Sequence, residues 1–316
     1  MENSSWSIET QGLVKRYGEV TAVDGIDLQI PRHVIYALLG PNGAGKTTTI
    51  EMLTTITRPT AGTAIVAGQD VIQQPAEVRR RIAATFQDVV LDDALTGREL
   101  LHYHGRLYGQ KKAFREAKIK ELLAMVELEE AADRPTRTYS GGMKRRLELA
   151  RGLMTEPEIL FLDEPTQGLD PQNRANIWDY IRDLKARKGL TLLLTTHYME
   201  EAEQLADIIA IIDHGKIIVQ DTPRNMVDGV GSDAIVMSGS NSPNGFIERV
   251  QTLPFVQSTS AEEKQVRLGV DSGSHRLPEI ITLASETGYL IEDVSIAKPS
   301  LEDVFLKYTG RQLRDH

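Results

Sequence analysis

One stretch constrains the fold of this 316-residue chain more than any other, and it reads "GPNGAGKT", from Gly40 to Thr47. The apolar run "YALL" precedes it and a helix-period pattern follows it, which predicts a glycine-rich turn between a strand and a helix. Glycines let backbone N–H groups turn inward on phosphate oxygens, and the helix N-terminus adds its positive dipole end. We therefore predict a phosphate-binding loop in which Lys46 reaches the β- and γ-phosphates and the Thr47 hydroxyl coordinates Mg²⁺. A purely structural glycine turn is the alternative.

Two carboxylates follow four apolar residues in "ILFLDEP", Ile159 to Pro165. A buried strand would bring Asp163 to its end, where the carboxylate can hold Mg²⁺ through water. The adjacent Glu164 would face the terminal phosphate and orient or deprotonate an attacking water. An Asp-Glu pair is also common as a plain strand end or helix cap, but the phosphate loop upstream favours the catalytic interpretation.

Three further side chains follow strand-like runs. His197, in "LLLTTHYME", would lie at the sheet edge where α/β sheets bind ligands, although a lone histidine there is more often an uninvolved helix-start residue. Gln87, in "AATFQDVVL", could bond the metal or the γ-phosphate, which most glutamines at strand ends do not do. Tyr17, in "KRYGEVTAV", is either a platform for adenine or a surface-strand tyrosine.

A second glycine pair opens the stretch "TYSGGMKRRLELARGLM", Thr138 to Met154. Ser140 is suited to cap the helix that begins near Gly142, and a capped helix N-terminus attracts an anion. A capped helix without any ligand is the alternative.

Composition narrows the class of protein. The formal net charge of -9 gives no general attraction to nucleic acid, so no nucleic-acid partner is expected. The chain contains no cysteine, which rules out disulfides, cysteine-ligated metals and thiol catalysis. It also lacks an apolar run of about 18 residues and a signal-peptide pattern, so we expect a cytoplasmic protein that does not cross the bilayer by itself.

The order of apolar and helical patterns predicts two domains. Residues 1–228 alternate strand-like runs with helices, typical of an α/β domain with a mostly parallel sheet, and residues from about 88 to 150 form an all-helical insertion. Residues 229–316 follow a β-α-β-β-α-β order, typical of a small α+β ferredoxin-like domain. In the closing helix, Ser300 and Asp303 resemble a capping pair. One face of that helix is expected to comprise Leu301, Val304, Phe305 and Tyr308.

Taken together, the motifs resemble the nucleotide-binding subunit of ATP-binding cassette (ABC) transporters, over about residues 7 to 222. The group it looks like comprises the single-cassette ATPases that energise ABC-2 type exporters, including the daunorubicin-resistance type. The motifs that carry the resemblance are, in chain order, Tyr17, "GPNGAGKTT", Gln87, "YSGGMKRR", "ILFLDEPTQGLD" and "TTHYMEEAE".

The resemblance implies a P-loop ABC ATPase fold, with a mixed sheet, an added β subdomain and a helical insertion, and it implies ATP and Mg²⁺ as cofactors. It implies that Lys46, Glu164 and His197 are catalytic and that Mg²⁺ is bound by Thr47, Gln87 and Asp163. The implied ATP-binding residues are Tyr17, Gly40, Pro41, Asn42, Gly43, Ala44, Gly45, Lys46, Thr47, Thr48, Gln87, Ser140, Gly141, Gly142 and Asp170.

In the family, the second glycine pair binds the nucleotide held by the partner copy. The resemblance thus implies that two copies form a head-to-tail homodimer. It also implies that this dimer lies on the inner face of the cell membrane and is attached there to a separate integral membrane ABC-2 type permease. Two departures stand out: Tyr139 and Met143 replace the usual Leu and Gln around Ser-Gly-Gly, and Thr-Gln-Gly-Leu precedes Asp170. Alternatives are a soluble ABC ATPase with a non-transport partner and a regulatory module with little turnover.

Overall fold

The computed structural model describes residues 5–87, 91–230, 233–241, 243–262, 265–297 and 300–309. The chain divides into two compact units, the first ending at Pro223 and the second beginning at Arg224.

The first unit contains ten described strands and most of the helices. Its strands are β1 (Trp6–Tyr17), β2 (Val20–Pro31), β3 (Ile35–Leu39), β4 (Ala61–Val66), β5 (Gln69–Asp70), β6 (Ile82–Thr85), β7 (Ile159–Asp163), β8 (Thr191–Thr196), β9 (Ile208–Asp213) and β10 (Lys216–Asp221). Its helices are α1 (Lys46–Leu53), α2 (Pro75–Arg81), α3 (Gly97–Leu107), α4 (Lys112–Met125), a 3₁₀ turn (Thr136–Thr138), α5 (Gly141–Leu153), α6 (Pro171–Lys188), α7 (Met199–Leu205) and α8 (Pro223–Val230), the last of which crosses into the second unit.

The central sheet has six strands in the order β10-β9-β3-β8-β7-β6. All neighbouring pairs are parallel except β10 with β9, so the predicted mostly parallel sheet is confirmed. Strands β3, β7 and β8 are buried along their whole length, because other elements cover both faces of this sheet and the strands are largely apolar. Their carboxyl ends therefore meet at one edge, where the polar residues begin.

A second, antiparallel sheet has the order β2-β1-β4-β5. Strands β1 and β2 are long and form a hairpin across Gly18 and Glu19, in which Tyr17 pairs with Val20. Residues of this sheet, α1 and the central sheet form a common hydrophobic core. The phosphate loop thus connects two elements, β3 and α1, that are both packed in this core.

The segment between β6 and β7 is helical in the residues that the structure describes, 91–158, which agrees with the predicted insertion. The Thr96 side chain caps α3 by accepting from the Glu99 amide, and the Glu99 carboxylate accepts from the Thr96 amide. This capping box fixes where the helical segment begins. Residues 88–90, at the start of the predicted insertion, lie outside the described residues.

The second unit has its own hydrophobic core. Its four strands pair antiparallel in the order β12-β13-β11-β14, and the predicted β-α-β-β-α-β element order is the observed one. The elements are β11 (Asp233–Ser240), α9 (Asn244–Val250), β12 (Val256–Glu262), β13 (Gln265–Val270), α10 (Gly273–Glu286), β14 (Leu290–Ala297) and α11 (Leu301–Thr309).

The closing helix α11 begins as its sequence indicates. The Ser300 backbone N–H and hydroxyl both donate to Asp303 Oδ2, at 3.0 and 2.9 Å. Leu301, Val304 and Phe305 are buried, but Tyr308 is 45% exposed, so the apolar face is shorter than predicted. Among the described residues, no helix is both long and apolar enough to cross a membrane.

Candidate functional site

The phosphate loop connects β3 to α1, as its spacing predicts. Gly45 is the N-cap of α1 and has a φ of 105°, a left-handed conformation that favours glycine. A Cβ at Gly45 would lie 2.4 Å from the Ala22 carbonyl oxygen, and a Cβ at Gly40 would lie 2.2 Å from that of Ile212. The loop therefore requires glycine at both positions before any ligand is considered.

The Lys46 ammonium is nearly buried and surrounded by oxygen atoms. Its Nζ donates to the carbonyl oxygens of Gly40 and Pro41, at 2.7 and 3.1 Å, and lies 3.1 Å from Glu164 Oε1. These carbonyls and this carboxylate hold a cation at the N-terminus of α1, where phosphates are favoured.

Glu164 joins Lys46 to His197. Its Oε2 lies 2.6 Å from His197 Nδ1, and the carboxylate is only 5% exposed. Burial acts to raise the pKa of Glu164, but the hydrogen bond with His197 and the Lys46 charge outweigh it, so the pKa lies below its ordinary value. The carboxylate is thus ionised, which a proton acceptor for water requires. The structure brings together the three side chains predicted to be catalytic.

Asp163 lies beside Thr47 at the end of β7. The Thr47 hydroxyl donates to Asp163 Oδ1 at 3.2 Å, and the Thr195 hydroxyl donates to the same oxygen. The other oxygen, Asp163 Oδ2, is buried and has no hydrogen-bond partner among the residues that the structure describes. Since a buried polar atom without a partner costs free energy, this oxygen is available to a ligand.

A second group of predicted site residues forms at the start of α5 and α6. Ser140 caps α5 by accepting from the Met143 amide at 3.3 Å, and the helix begins at Gly141, one residue earlier than expected. Asp170 caps α6 by accepting from the Asn173 amide at 3.0 Å. Ser140 and Gly141 are exposed, whereas a Cβ at Gly142 would meet the Asn173 side chain at 2.7 Å. Two helix N-termini are therefore held side by side.

The two groups are separate within one copy of the chain. No hydrogen bond or ion pair in the described ranges joins the side chains of Ser140 or Asp170 to those of Lys46, Glu164 or His197.

Tyr17 and Gln87, the other two side chains predicted to bind nucleotide or metal, are both exposed. Tyr17 ends β1, is 47% exposed, and has Lys15 Nζ 4.8 Å from its ring centroid. Gln87 is exposed, and in the described part of the chain no hydrogen bond links it to Thr47 or Asp163. The other loop residues, Asn42, Ala44 and Thr48, lie in or next to the phosphate loop.

Sequence reasoning missed several buried polar residues around this centre. Thr195 bonds Asp163 and also accepts from the Glu164 amide at 3.1 Å, and Glu201 Oε1 accepts from the Thr166 hydroxyl at 2.7 Å and from Trp178 Nε1 at 3.1 Å. Burial and the nearby charge of Glu164 raise the pKa of Glu201. In the sequence, the feature that could have indicated Thr195 is the pair Thr195–Thr196 directly after the three leucines of β8.

The fold and the site define a P-loop ATPase cassette, and comparisons with known proteins give its family. Residues 23–167 match the ABC transporter family. The daunorubicin resistance ATP-binding protein DrrA2 of Streptomyces coeruleorubidus is 41% identical over 97% of this chain and 96% of its own. For the Nod factor export ATP-binding protein I of Ralstonia nicotianae, the identity is 39%, over 98% and 95%. For the linearmycin resistance ATP-binding protein LnrL of Bacillus subtilis, it is 35%, over 98% and 100%.

Solved structures agree on the first unit. An ATP-binding subunit of an ABC transporter superposes with a TM-score of 0.64 and 28% identity, covering 71% of this chain and 93% of its own. The cassette MJ1267 in its ADP conformation gives the same TM-score at 26% identity, over 70% and 94%. The chain belongs to the ABC transporter family, as an ATP-binding subunit of the drug-resistance and Nod factor export type. It is an ATPase that energises transport by an ABC exporter.

Proposed function

We propose that two copies of this chain bind two ATP molecules head to tail and hydrolyse them to drive a separate permease. The Lys46–Glu164–His197 chain of contacts, buried at the ends of adjacent strands, is the observation that carries the proposal. This chain of contacts places a cation that can bind phosphate next to an ionised carboxylate, at a site where both side chains are nearly buried. The capped N-terminus of α5 is exposed and presents N–H groups that attract anions. This is consistent with a helix that binds the nucleotide held by a second copy.

In this mechanism Lys46 exchanges partners. The β- and γ-phosphates compete with Glu164 and with the Gly40 and Pro41 carbonyls for the ammonium, because phosphate carries more charge than either. Glu164 then keeps its contact with His197 and can accept a proton from the attacking water. His197, bonded to that carboxylate through Nδ1, would orient it and help to position the attacking water and the γ-phosphate.

Mg²⁺ fits the residues present. Asp163 Oδ2 is a buried oxygen that no described residue hydrogen-bonds, and the Thr47 hydroxyl lies beside the same carboxylate. No group of three or more acidic or histidine side chains that could hold a metal exists in the described ranges, which suits an ion bound largely through phosphates and water. When bound, Mg²⁺ would neutralise charge on the β- and γ-phosphates; Thr47 and Asp163 would hold it, and Gln87 would join them.

We also propose the remaining assignments that the resemblance implied. Tyr17 would stack on adenine. Ser140, Gly141 and Gly142 would contact the γ-phosphate on the partner copy, and Asp170 would lie at the dimer seam. We propose that the two domains comprise residues 1–228 and 229–316, a boundary that lies within α8, just after the division between the two compact units. The strand order of the second domain supports a ferredoxin-like fold.

The partner would be an integral membrane ABC-2 type permease, with this chain on the cytoplasmic face of the cell membrane. Two of these relatives are named for resistance to daunorubicin and linearmycin, and these two names support a drug-type cargo. Affinity purification of the tagged chain from gently solubilised membranes of its host tests the partner. Recovery without any membrane protein, or with ribosomal proteins instead, would contradict this assignment.

The dimer is tested with Glu164→Gln, which keeps the shape of the side chain but removes the proton acceptor. This variant should form an ATP-dependent dimer that size-exclusion chromatography with light scattering detects. Glu158→Gln is the matched control, since Glu158 precedes the other end of β7 and is 50% exposed. A Glu164→Gln chain that stays monomeric at saturating Mg-ATP would refute the sandwich.

The phosphate loop is tested with Lys46→Ala. Turnover of Mg-ATP should fall about 100-fold or more, as expected when a group that stabilises transition-state charge is removed. Lys112→Ala, at an exposed lysine on α4, should hydrolyse ATP at the wild-type rate. Near-normal turnover by Lys46→Ala would mean that the phosphate loop has been assigned to the wrong residues.

A further inference from the structure

Arg145, on the second turn of α5, makes an unusual number of contacts for a buried cation. It is 3% exposed, and its Nε donates to the Pro165 carbonyl at 2.9 Å. Its Nη1 donates to the Phe86 carbonyl and to Glu148 Oε2, both at 2.7 Å. Its Nη2 donates to the carbonyls of Asp163 and Glu164, at 3.0 and 3.3 Å. A guanidinium has five N–H donors, so all of them are used.

Three of these acceptors are successive carbonyls of one turn, Asp163–Pro165, which we call the β7 turn. Glu164 lies in this turn with a φ of 48°, a left-handed conformation that is uncommon for residues other than glycine. Such a conformation persists only where the surroundings enforce it. The Arg145 guanidinium enforces it directly, because one planar group collects the carbonyl oxygens on both sides of Glu164.

The fourth backbone acceptor belongs to another part of the site. Phe86 directly precedes Gln87 at the end of β6, so Arg145 also fixes the backbone that leads into this predicted ligand. Glu148, one turn further along α5, supplies the counter-charge that a buried guanidinium needs. One side chain thereby links α5, the β7 turn and the end of β6.

We propose that Arg145 is a positioning residue that holds the Glu164 carboxylate in its catalytic orientation and ties this orientation to helix α5. Its Nε and Nη2 set the direction of the β7 turn, and its own backbone lies five residues after the Ser140 cap. The tie to α5 rests on the proposed sandwich, in which the N-terminus of α5 contacts the γ-phosphate on the other copy. A shift of α5 when that phosphate binds would then move the turn that carries Glu164.

Arg145→Lys in the full chain tests the positioning role. Lysine keeps the charge but cannot reach five acceptors with one ammonium. We expect kcat for Mg-ATP to fall tenfold or more, because small misplacements of catalytic groups cost about that much. The equilibrium Kd of a fluorescent ATP analogue and the KM should change less than about threefold, since Lys46 and the loop are untouched.

Arg146→Lys is the matched control. Arg146 is the next residue on the same helix, but it donates to the Val126 carbonyl at 3.1 Å and to the Tyr180 hydroxyl at 3.1 Å, away from the β7 turn. Its kcat should stay at the wild-type value. Equal kcat in the wild type, Arg145→Lys and Arg146→Lys would overturn the positioning role. If Arg145→Lys does not fold, Arg145→Gln takes its place, and failure of both to fold would show a purely structural residue.

A double-mutant cycle of Ser140→Ala with Arg145→Lys tests the tie to α5. If the tie exists, the combined loss in kcat is smaller than the product of the single losses, because both changes interrupt the same connection. A combined loss in kcat equal to the product of the two single losses would refute the connection between α5 and Glu164. The effect of Arg145 on Glu164 would then still stand. Dimerisation of Glu164→Gln, measured separately, decides the sandwich itself, so a failure of the sandwich is distinguishable from a failure of Arg145.

Discussion

At the scale of single residues, the site depends on buried polar side chains that satisfy one another around Glu164. Thr195 holds both the Asp163 side chain and the Glu164 backbone, and Glu201 holds Thr166 and Trp178 at the neighbouring loop and helix. A polar group in such a place destabilises the fold unless it is paired. Within the described part of the chain, the buried oxygen Glu201 Oε2 has no hydrogen-bond partner, so burying this carboxyl lowers the free energy of unfolding.

Glu201→Gln should show this cost as a pH dependence of the free energy of unfolding. Because burial raises the folded-state pKa of Glu201, its stabilising contribution is complete below the pKa of an unfolded glutamate and is lost as the pH rises through the folded-state value. Glutamine does not ionise. The variant should therefore gain stability relative to the wild type as the pH rises above the pKa of an unfolded glutamate, measured by urea denaturation. Glu200→Gln, at the exposed neighbour, should show no such gain, and a gain of equal size there would contradict the explanation.

At the scale of elements, helix N-termini do most of the positioning. The phosphate loop leads into α1, Ser140 caps α5 and Asp170 caps α6, so three helices begin at predicted site residues. Unsatisfied N–H groups and the positive dipole end make each of them favourable for an anion. The caps at α5 and α6 also have a purely structural role, and a charge change separates the two roles.

Ser140→Asp is that charge change. Aspartate caps a helix as well as serine does, so the midpoint of urea unfolding should stay at the wild-type value. In the Glu164→Gln background, ATP-driven dimerisation should weaken tenfold or more, because the carboxylate would face the phosphate of the other copy. Thr96→Ala is the comparison: it removes the α3 cap, should cost about 1 kcal/mol of stability and should leave dimerisation unchanged. If Ser140→Asp leaves the ATP-driven dimerisation of the Glu164→Gln form unchanged, the N-terminus of α5 does not contact the nucleotide of the other copy.

At the scale of the whole molecule, the first unit contains two of the described sheets and the second contains one, and each unit has its own hydrophobic core. Every residue assigned to the ATP site precedes Pro223, where the first unit ends. Within the second unit, Lys307 Nζ donates to the Gly229 carbonyl at 3.0 Å, which fastens α11 to α8. The second unit contains none of the predicted nucleotide ligands, so its contribution is expected in assembly rather than in chemistry.

A chain that ends at Pro223 should keep ATP binding and weaken dimerisation. The Kd of a fluorescent ATP analogue should stay within about threefold of the full chain, because the cassette retains its own core. The ATP-dependent dimer of the Glu164→Gln form should dissociate at higher concentration than it does in the full chain. Equal dimerisation of the two forms would show that the second unit does not brace the dimer.

Local patterns were sufficient for much of this molecule. The glycine spacing predicts the phosphate loop, continuous apolar runs predict β3, β7 and β8, and the second unit follows its predicted element order. The sequence was insufficient where function depends on long-range contacts. Arg145 looks like one more charge on an amphipathic helix, and only the fold brings the carbonyls of Phe86 and Pro165 to it. The Thr195 contacts have the same origin, since pairing of β7 with β8 creates them.

The central position of β3 has a consequence for how the protein is made. Both neighbours of β3 come late: Ile35 pairs with Leu192, and Tyr36 pairs with Ile208. At the usual speed of translation, roughly 10 to 30 s separate the synthesis of β3 from that of its partners. Throughout this interval an apolar strand with two unpaired edges leaves the ribosome, and it invites aggregation. The central position of β3 that supports the phosphate loop in the finished protein thus makes the nascent chain a client for chaperones.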